Sequence, residues 1–140
     1  MLVAMKKISA KPLKWLKGAY RRFKHLWESR RPWGHYKVLE DNEDRKVKTI
    51  FVNPGKRLSL QKHRFRSEYW LIASGRGLVH VGNKEISLEA GNSVIIPQNT
   101  VHRVTNTGSE TLVFVEIQVG DHLEEDDIIR LDDDYGRAKN

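Results

Sequence analysis

Beyond residue 32 the chain alternates short apolar runs with turn residues. HYKVLE, VKTIFVN, RLSLQKH, EYWLIAS, GLVHV, KEISL, SVIIP, VHRVTN and TLVFVEIQV follow one another, separated by Gly-, Asn- and Pro-containing turns at 53–55, 74–77, 82–83, 91–92 and 106–108. Strands this short, recurring every 8–12 residues or so with no helical stretch between them, predict an antiparallel sandwich or barrel. Ahead of them the period changes. From Pro12 to Ser29, Leu13, Leu16, Tyr20, Phe23 and Trp27 recur at spacings of 3 and 4, one face of an amphipathic helix. Pro12 suits a first helical turn, whereas Gly18 weakens the helix by about 1 kcal/mol relative to Ala.

With 140 residues, 39% of them hydrophobic, the chain has room for one domain and its tails. Residues 1–30 read as a basic helical extension and 31–140 as the domain with an acidic tail. The absence of cysteine excludes disulfides, thiol nucleophiles and Cys-based zinc sites. No apolar run is long enough to span a bilayer, and MLVAMKKISAKPLKWLK lacks the apolar core of a secretory signal, so the expected location is cytoplasmic.

The net charge of +7 is not spread over the chain. Residues 1–32 carry ten Lys and Arg against Glu28 alone, whereas the remaining 108 carry fifteen basic and seventeen acidic residues. That balance gives no support to nucleic-acid binding by the domain. The basic helix of residues 12–29 has two readings. Its apolar stripe docks on its own domain or on a second subunit, the commoner use of such stripes, or the helix lies on an anionic membrane surface. The tail from residue 121 is rich in Asp and Glu and is expected to lie over the surface.

One strand is oddly polar. In LSLQKHRFRSEYW, alternation puts Ser59, Gln61, His63 and Phe65 on one face and Leu58, Leu60 and Lys62 on the other. Gln61 and His63 then present an amide oxygen and an imidazole about 7 Å apart at the backbone. Glu68 follows at the start of a returning strand, and His102 lies in a separate run after Pro97. Two imidazoles, a carboxylate and an amide oxygen suit a divalent metal with positions left for water or substrate. His25, His35, His80 and His122 read singly as surface or satisfied histidines. In LVFVEIQV, Glu116 and Gln118 share a face with Phe114, and Val113, Val115, Ile117 and Val119 share the other. Pattern alone leaves that polar face equally open to a pocket or to solvent.

The glycine and proline frame around these residues adds a second signal. Gly55, Gln61, His63, Glu68 and Gly75, then Gly91, Pro97, His102 and Asn106, are spaced as the two cupin motifs are, with Gln61 in place of a first His and Asn99 in place of a Gly. RPWGHY (31–36), LSLQKHRFRSEYW, IPQNTVHRVTN, VEIQVG and EEDDIIRLDDDYGR resemble the cupin domain of type II phosphomannose isomerases over roughly residues 31–138. That resemblance implies an all-β jelly-roll barrel, a bound divalent metal such as Zn, Mn or Co, and interconversion of mannose 6-phosphate and fructose 6-phosphate. The domain usually follows a mannose-1-phosphate guanylyltransferase domain, which is not expected within the thirty residues ahead of it here. Gln61, His63, Glu68 and His102 are the implied ligands, and Arg66 falls at the position the family uses in isomerisation.

Two family histidines are replaced, by Phe65 and Tyr69, and both substitutions are expected on the pocket side. Aldose–ketose isomerisation needs a base near pH 7, a group to hold a developing oxyanion, and a phosphate anchor. Glu116 is the candidate acid/base, with Gln118 beside it as a substrate-binding candidate. Arg66 is the candidate for phosphate or developing charge, because a planar guanidinium holds two oxygens at once. Arg103, Arg57 and Lys48 are further substrate-binding candidates, and Arg137 is expected to close over the pocket. Two other functions fit the same text. One is a non-catalytic cupin sensing a sugar phosphate or sugar nucleotide, and the other is an interaction protein tethered by its N-terminus. A homodimer is expected, since cupin barrels commonly pair.

Overall fold

The structure, a computed structural model, describes residues 30–138. The amphipathic helix expected over 12–29 lies outside the described residues. Eleven strands follow in chain order: β1 Arg30–Arg31, β2 Gly34–Asp41, β3 Arg45–Val52, β4 Leu60–His63, β5 Arg66–Ser74, β6 Arg76–Val81, β7 Lys84–Glu89, β8 Ser93–Ile96, β9 His102–Asn106, β10 Leu112–Gly120 and β11 Ile128–Asp132. They form a six-stranded sheet, ordered β1-β2-β3-β10-β5-β8, and a five-stranded sheet, ordered β11-β4-β9-β6-β7. Every pairing is antiparallel. This is the all-β jelly-roll expected from the sequence.

Register explains how one sheet face serves as both core and site. On the inner face of the larger sheet, Val52 pairs with Leu112, and Ile50, Phe114 and Ile72 form the next row. The following row is Lys48, Glu116 and Trp70, and then come Lys46, Gln118 and Glu68. The period of two therefore runs apolar at one end and polar at the other without changing face. At the apolar end Trp70 and Phe114 pack with ring centroids 4.8 Å apart, in a core that includes Val79 and Val104 of the smaller sheet. Burying each such ring contributes roughly 2–3 kcal/mol.

Two asparagines hold the site strands. Asn99 has φ of 59°, the left-handed region that Asn tolerates better than most residues, which accounts for Asn where the motif has Gly. Its backbone N–H donates to His63 O at 2.7 Å, joining the turn before β9 to β4. Asn106 is buried and structural: its amide donates to Val52 O and Glu110 O, both at 2.8 Å, and its oxygen accepts from Gly108 N–H.

The tail corrects the sequence reading. It does not simply lie over the surface, because β11 pairs with β4 as an edge strand of the smaller sheet. Just before it, buried Asp127 accepts from the backbone N–H groups of Arg64 and Phe65 at 2.9 and 3.2 Å, fixing the bend between β4 and β5. Leu123 is buried as well, and its carbonyl accepts from Lys46 Nζ at 2.9 Å. The acidic run is tolerated because its carboxylates meet backbone donors and basic side chains, not each other.

Candidate metal centre

His63 at the end of β4, Glu68 near the start of β5 and His102 at the start of β9 are each at most 2% exposed. Their nearest ligand atoms all lie within 4.8 Å of one another. His63 Nε2 is 3.0 Å from Glu68 Oε1, His102 Nε2 is 3.6 Å from Glu68 Oε2, and the two imidazole centroids are 5.0 Å apart. Two segments separated by almost forty residues thus converge on one carboxylate, as their spacing predicted. Gln61 stands opposite His102 in the β4–β9 ladder and lines the adjoining cavity, with its Oε1 accepting from Ser59 Oγ at 2.7 Å.

The hydrogen bonds set the state of each group. His102 Nδ1 lies 2.8 Å from the Thr100 carbonyl, which can only accept, so Nδ1 carries the proton and Nε2 a lone pair. That Nε2 is buried without a hydrogen-bond partner and faces Glu68 Oε2. Burial pushes His102 down to about 4, keeping the imidazole neutral near pH 7. Burial opposes charge on Glu68 too, but His63, Arg66 and His102 outweigh it and hold the carboxyl well below its ordinary range. Glu68 also accepts from Arg66 Nε and Trp70 Nε1, both at 3.1 Å. A buried carboxylate facing an orphaned imidazole lone pair is a donor set that fits a divalent cation.

Beside this cluster a cavity of about 50 Å³ is lined by Gln61, Arg66, Glu68, Lys48, Glu116 and Gln118, among others. The question left open for β10 is answered by burial: Glu116 and Gln118 face inward and Ile117 and Val119 outward. Gln118 Nε2 donates to Glu116 Oε1 at 2.6 Å. Burial, with the charge of Glu68 nearby, raises Glu116 to about 7 against the opposing pull of Lys48 and Arg66. Lys48 Nζ donates to Glu125 Oε1 at 2.7 Å and sits 4.8 Å from the Tyr36 ring centroid.

Other sequence candidates fall elsewhere. Phe65 and Tyr69, expected on the pocket side, are 50% and 43% exposed. The chain bends after His63, so Phe65 leaves the face of Gln61 and His63, and Tyr69 alternates away from buried Glu68 and Trp70 on β5. Arg103 does not line the cavity: its guanidinium donates to Leu58 O, Asp132 O and Asp132 Oδ2. Arg57 pairs with Asp134 at 2.6 Å. Arg137 does line the cavity, alongside Arg31, Glu125 and Arg130, three residues that sequence reasoning missed. The signal for the last two was present in EDDIIRLD, where isoleucines break the acidic run as a short strand does.

Two antiparallel sheets closing on a buried two-histidine, one-carboxylate cluster define a cupin, a double-stranded β-helix. The chain belongs to the family described as "Mannose-6-phosphate isomerase C-terminal", whose model matches residues 19–133. It is 44% identical over 108 residues to the alginate biosynthesis protein AlgA of Pseudomonas aeruginosa, covering 77% of this chain and 22% of AlgA. It is 42% identical over 108 residues to the xanthan biosynthesis protein XanB of Xanthomonas campestris, covering 77% of this chain and 23% of XanB. The chain therefore spans under a quarter of the length of these relatives. Among solved structures, a putative sugar phosphate isomerase from Acidithiobacillus ferrooxidans is similar, with a TM-score of 0.56, 27% identity and coverage of 61% of this chain and 58% of that one. A double-stranded β-helix protein from Klebsiella pneumoniae gives a TM-score of 0.61 and 25% identity, covering 70% of this chain and 88% of that one. Among the described residues no helix is long and apolar enough to cross a membrane.

Proposed function

We propose that this chain is a metal-dependent sugar-phosphate isomerase that interconverts mannose 6-phosphate and fructose 6-phosphate. Gln61, His63, Glu68 and His102 would hold a divalent ion such as Zn, Mn or Co. When bound, such an ion polarises the substrate carbonyl and disperses negative charge on its oxygen. The observation that carries the reading is Glu116, a buried carboxyl raised to about 7 in the same cavity as Glu68 and Arg66. A base poised near the working pH removes a proton from one of the two sugar carbons and returns it to the other. Gln118, donating to Glu116 Oε1, orients that carboxylate, and Arg66 offers positive charge to the enediolate oxygens.

A coupled assay of mannose 6-phosphate conversion, run with protein fully loaded in turn with Co, Mn or Zn, tests this. No turnover in any of the three retires the isomerase. A non-catalytic sugar sensor would gain from Phe65 and Tyr69 as aromatics lining a sugar site, and their outward exposure gives that reading no support. We place the working unit in residues 31–140 of a cytoplasmic homodimer, with 1–30 as an extension. Deleting 1–30 is then expected to leave metal content unchanged. Sedimentation tests the dimer, and fractionation separates the cytoplasmic reading from peripheral membrane attachment through residues 12–29.

A further inference from the structure

We propose that Arg31, Arg130 and Arg137 form an anion subsite at the cavity mouth that holds the phosphate of a phosphomonoester substrate. The inference deepens the isomerase reading and rests on it for the identity of the sugar. Arg31, Glu125, Arg130 and Arg137 line both the inner cavity and an outer vestibule of about 450 Å³, whose remaining walls are Arg30 and Pro32. Four guanidiniums thus surround one carboxylate, and Glu125 is already engaged by Lys48 at 2.7 Å. Asp133 pairs with Arg137 as well, but positive charge still exceeds negative here, and a cluster of this sign attracts an anion.

The individual side chains agree. Arg130 Nε is buried and has no hydrogen-bond partner among the described residues. Burial, followed by the charge of Arg137 and, more weakly, of Arg31, acts against its protonated form and outweighs the opposing pull of Glu125 and Asp133, so its pKa is lowered. Arg137 is anchored by Asp133 through Nε and Nη2 at 2.9 and 2.6 Å, a pair in which Nη1 takes no part. Arg31 Nη2 donates to Tyr36 Oη at 3.3 Å. A phosphate dianion offsets this mutual repulsion and supplies acceptors matched to the guanidinium fork.

Arg66, the phosphate candidate from sequence, lies deeper and is already engaged with Glu68 Oε1 at 3.1 Å and Glu124 O at 3.1 Å. The inner cavity, which holds Glu116, opens onto the vestibule at Arg31, Glu125, Arg130 and Arg137, the residues that line both. A sugar whose reacting end reaches Glu116 therefore leaves its phosphate among the arginines at the mouth.

The test titrates inorganic phosphate into ¹⁵N-labelled full-length protein and follows backbone and Arg Nε–H resonances by NMR, alongside mannose 6-phosphate kinetics. The variants are Arg31→Gln and Arg130→Gln, with Lys84→Gln in the β6–β7 hairpin as a charge control. Each Arg variant is expected to weaken phosphate binding about tenfold. KM for mannose 6-phosphate rises in parallel, with kcat within about threefold. Arg130→Lys, which keeps the charge and loses the fork, recovers part of the affinity. Unchanged phosphate affinity in both Arg variants, or an equal loss in Lys84→Gln, overturns the subsite. Phosphate binding that responds to the Arg variants without any turnover retires the isomerase and leaves the subsite standing. Turnover with KM unmoved by either variant retires the subsite alone.

Discussion

Replacing Glu125 with Gln tests whether the tail is a working wall of the site. In the native chain Lys48 is buried and Glu125 Oε1 accepts from its Nζ at 2.7 Å. Burial disfavours the carboxylate, but Lys48, with Arg66 and Arg31 further off, outweighs it and lowers Glu125 from 4.5 to about 2. That drop corresponds to about 3 kcal/mol of folding free energy. The Glu125 side chain is 27% exposed, so solvent screening trims the expected loss in Glu125→Gln to about 2–3 kcal/mol at pH 7. Glu116, paired with Lys48 in the β3–β10 register, keeps the stranded cation from costing more. The sign with pH follows from a depressed folded pKa. The contribution is present in full above about 4.5 and disappears as pH falls through about 2, so at pH 3 the gap between the two proteins shrinks to about half. Urea unfolding of both proteins at pH 7 and pH 3, followed by the fluorescence of buried Trp33 and Trp70, measures it. A gap under about 0.5 kcal/mol at pH 7, or one that does not close in acid, refutes the reasoning.

Glu116→Gln is expected to lower kcat by about 10²–10⁴-fold with little change in KM. Because the ionised form is the base, wild-type activity rises as pH increases through about 7, and the variant loses that limb of the kcat/KM profile. Metal removed by a chelator should abolish isomerisation and lower the melting temperature, because an ion that binds only the folded state stabilises it. His63→Ala and His102→Ala should retain less than stoichiometric metal by elemental analysis. Restoring the family residues with Phe65→His and Tyr69→His should change kcat/KM by no more than about twofold, since both side chains face outward. A large gain would show that these positions reach the pocket after all.

The runs that became β2 to β10 and the spacing of the two motifs were legible in the sequence, whereas β1 and β11 were not. Runs and spacing both depend on local rules, alternation along a strand and Gly, Pro or Asn at turns, and these hold before any long-range contact forms. The meeting of His63, Glu68 and His102 followed from the same spacing, because the motif fixes where each segment sits in the barrel. Alternation marks two faces but does not say which is covered. Glu116 and Gln118 were therefore ambiguous until the inner row that holds Phe114 was seen to continue through them. Phe65 was misplaced for a related reason, since the bend after His63 interrupts the alternation, whereas Tyr69 keeps the alternation of β5 and so points away from buried Glu68 and Trp70.

Tertiary structure alone decided the charged residues. Lys46 and Lys48 sit on the inner face because Leu123 and Glu125, some 77 residues away, supply an acceptor for each ammonium group. Asp127 is buried because the β4–β5 bend presents two unpaired N–H groups to it. Arg103 directs its guanidinium to the tail strand, while Arg31 on β1, Arg130 on β11 and Arg137 beyond it line the mouth together. A buried charge is tolerable only beside its partner. For Lys48, Asp127 and Arg103 that partner lies far along the chain, so no local pattern could name it.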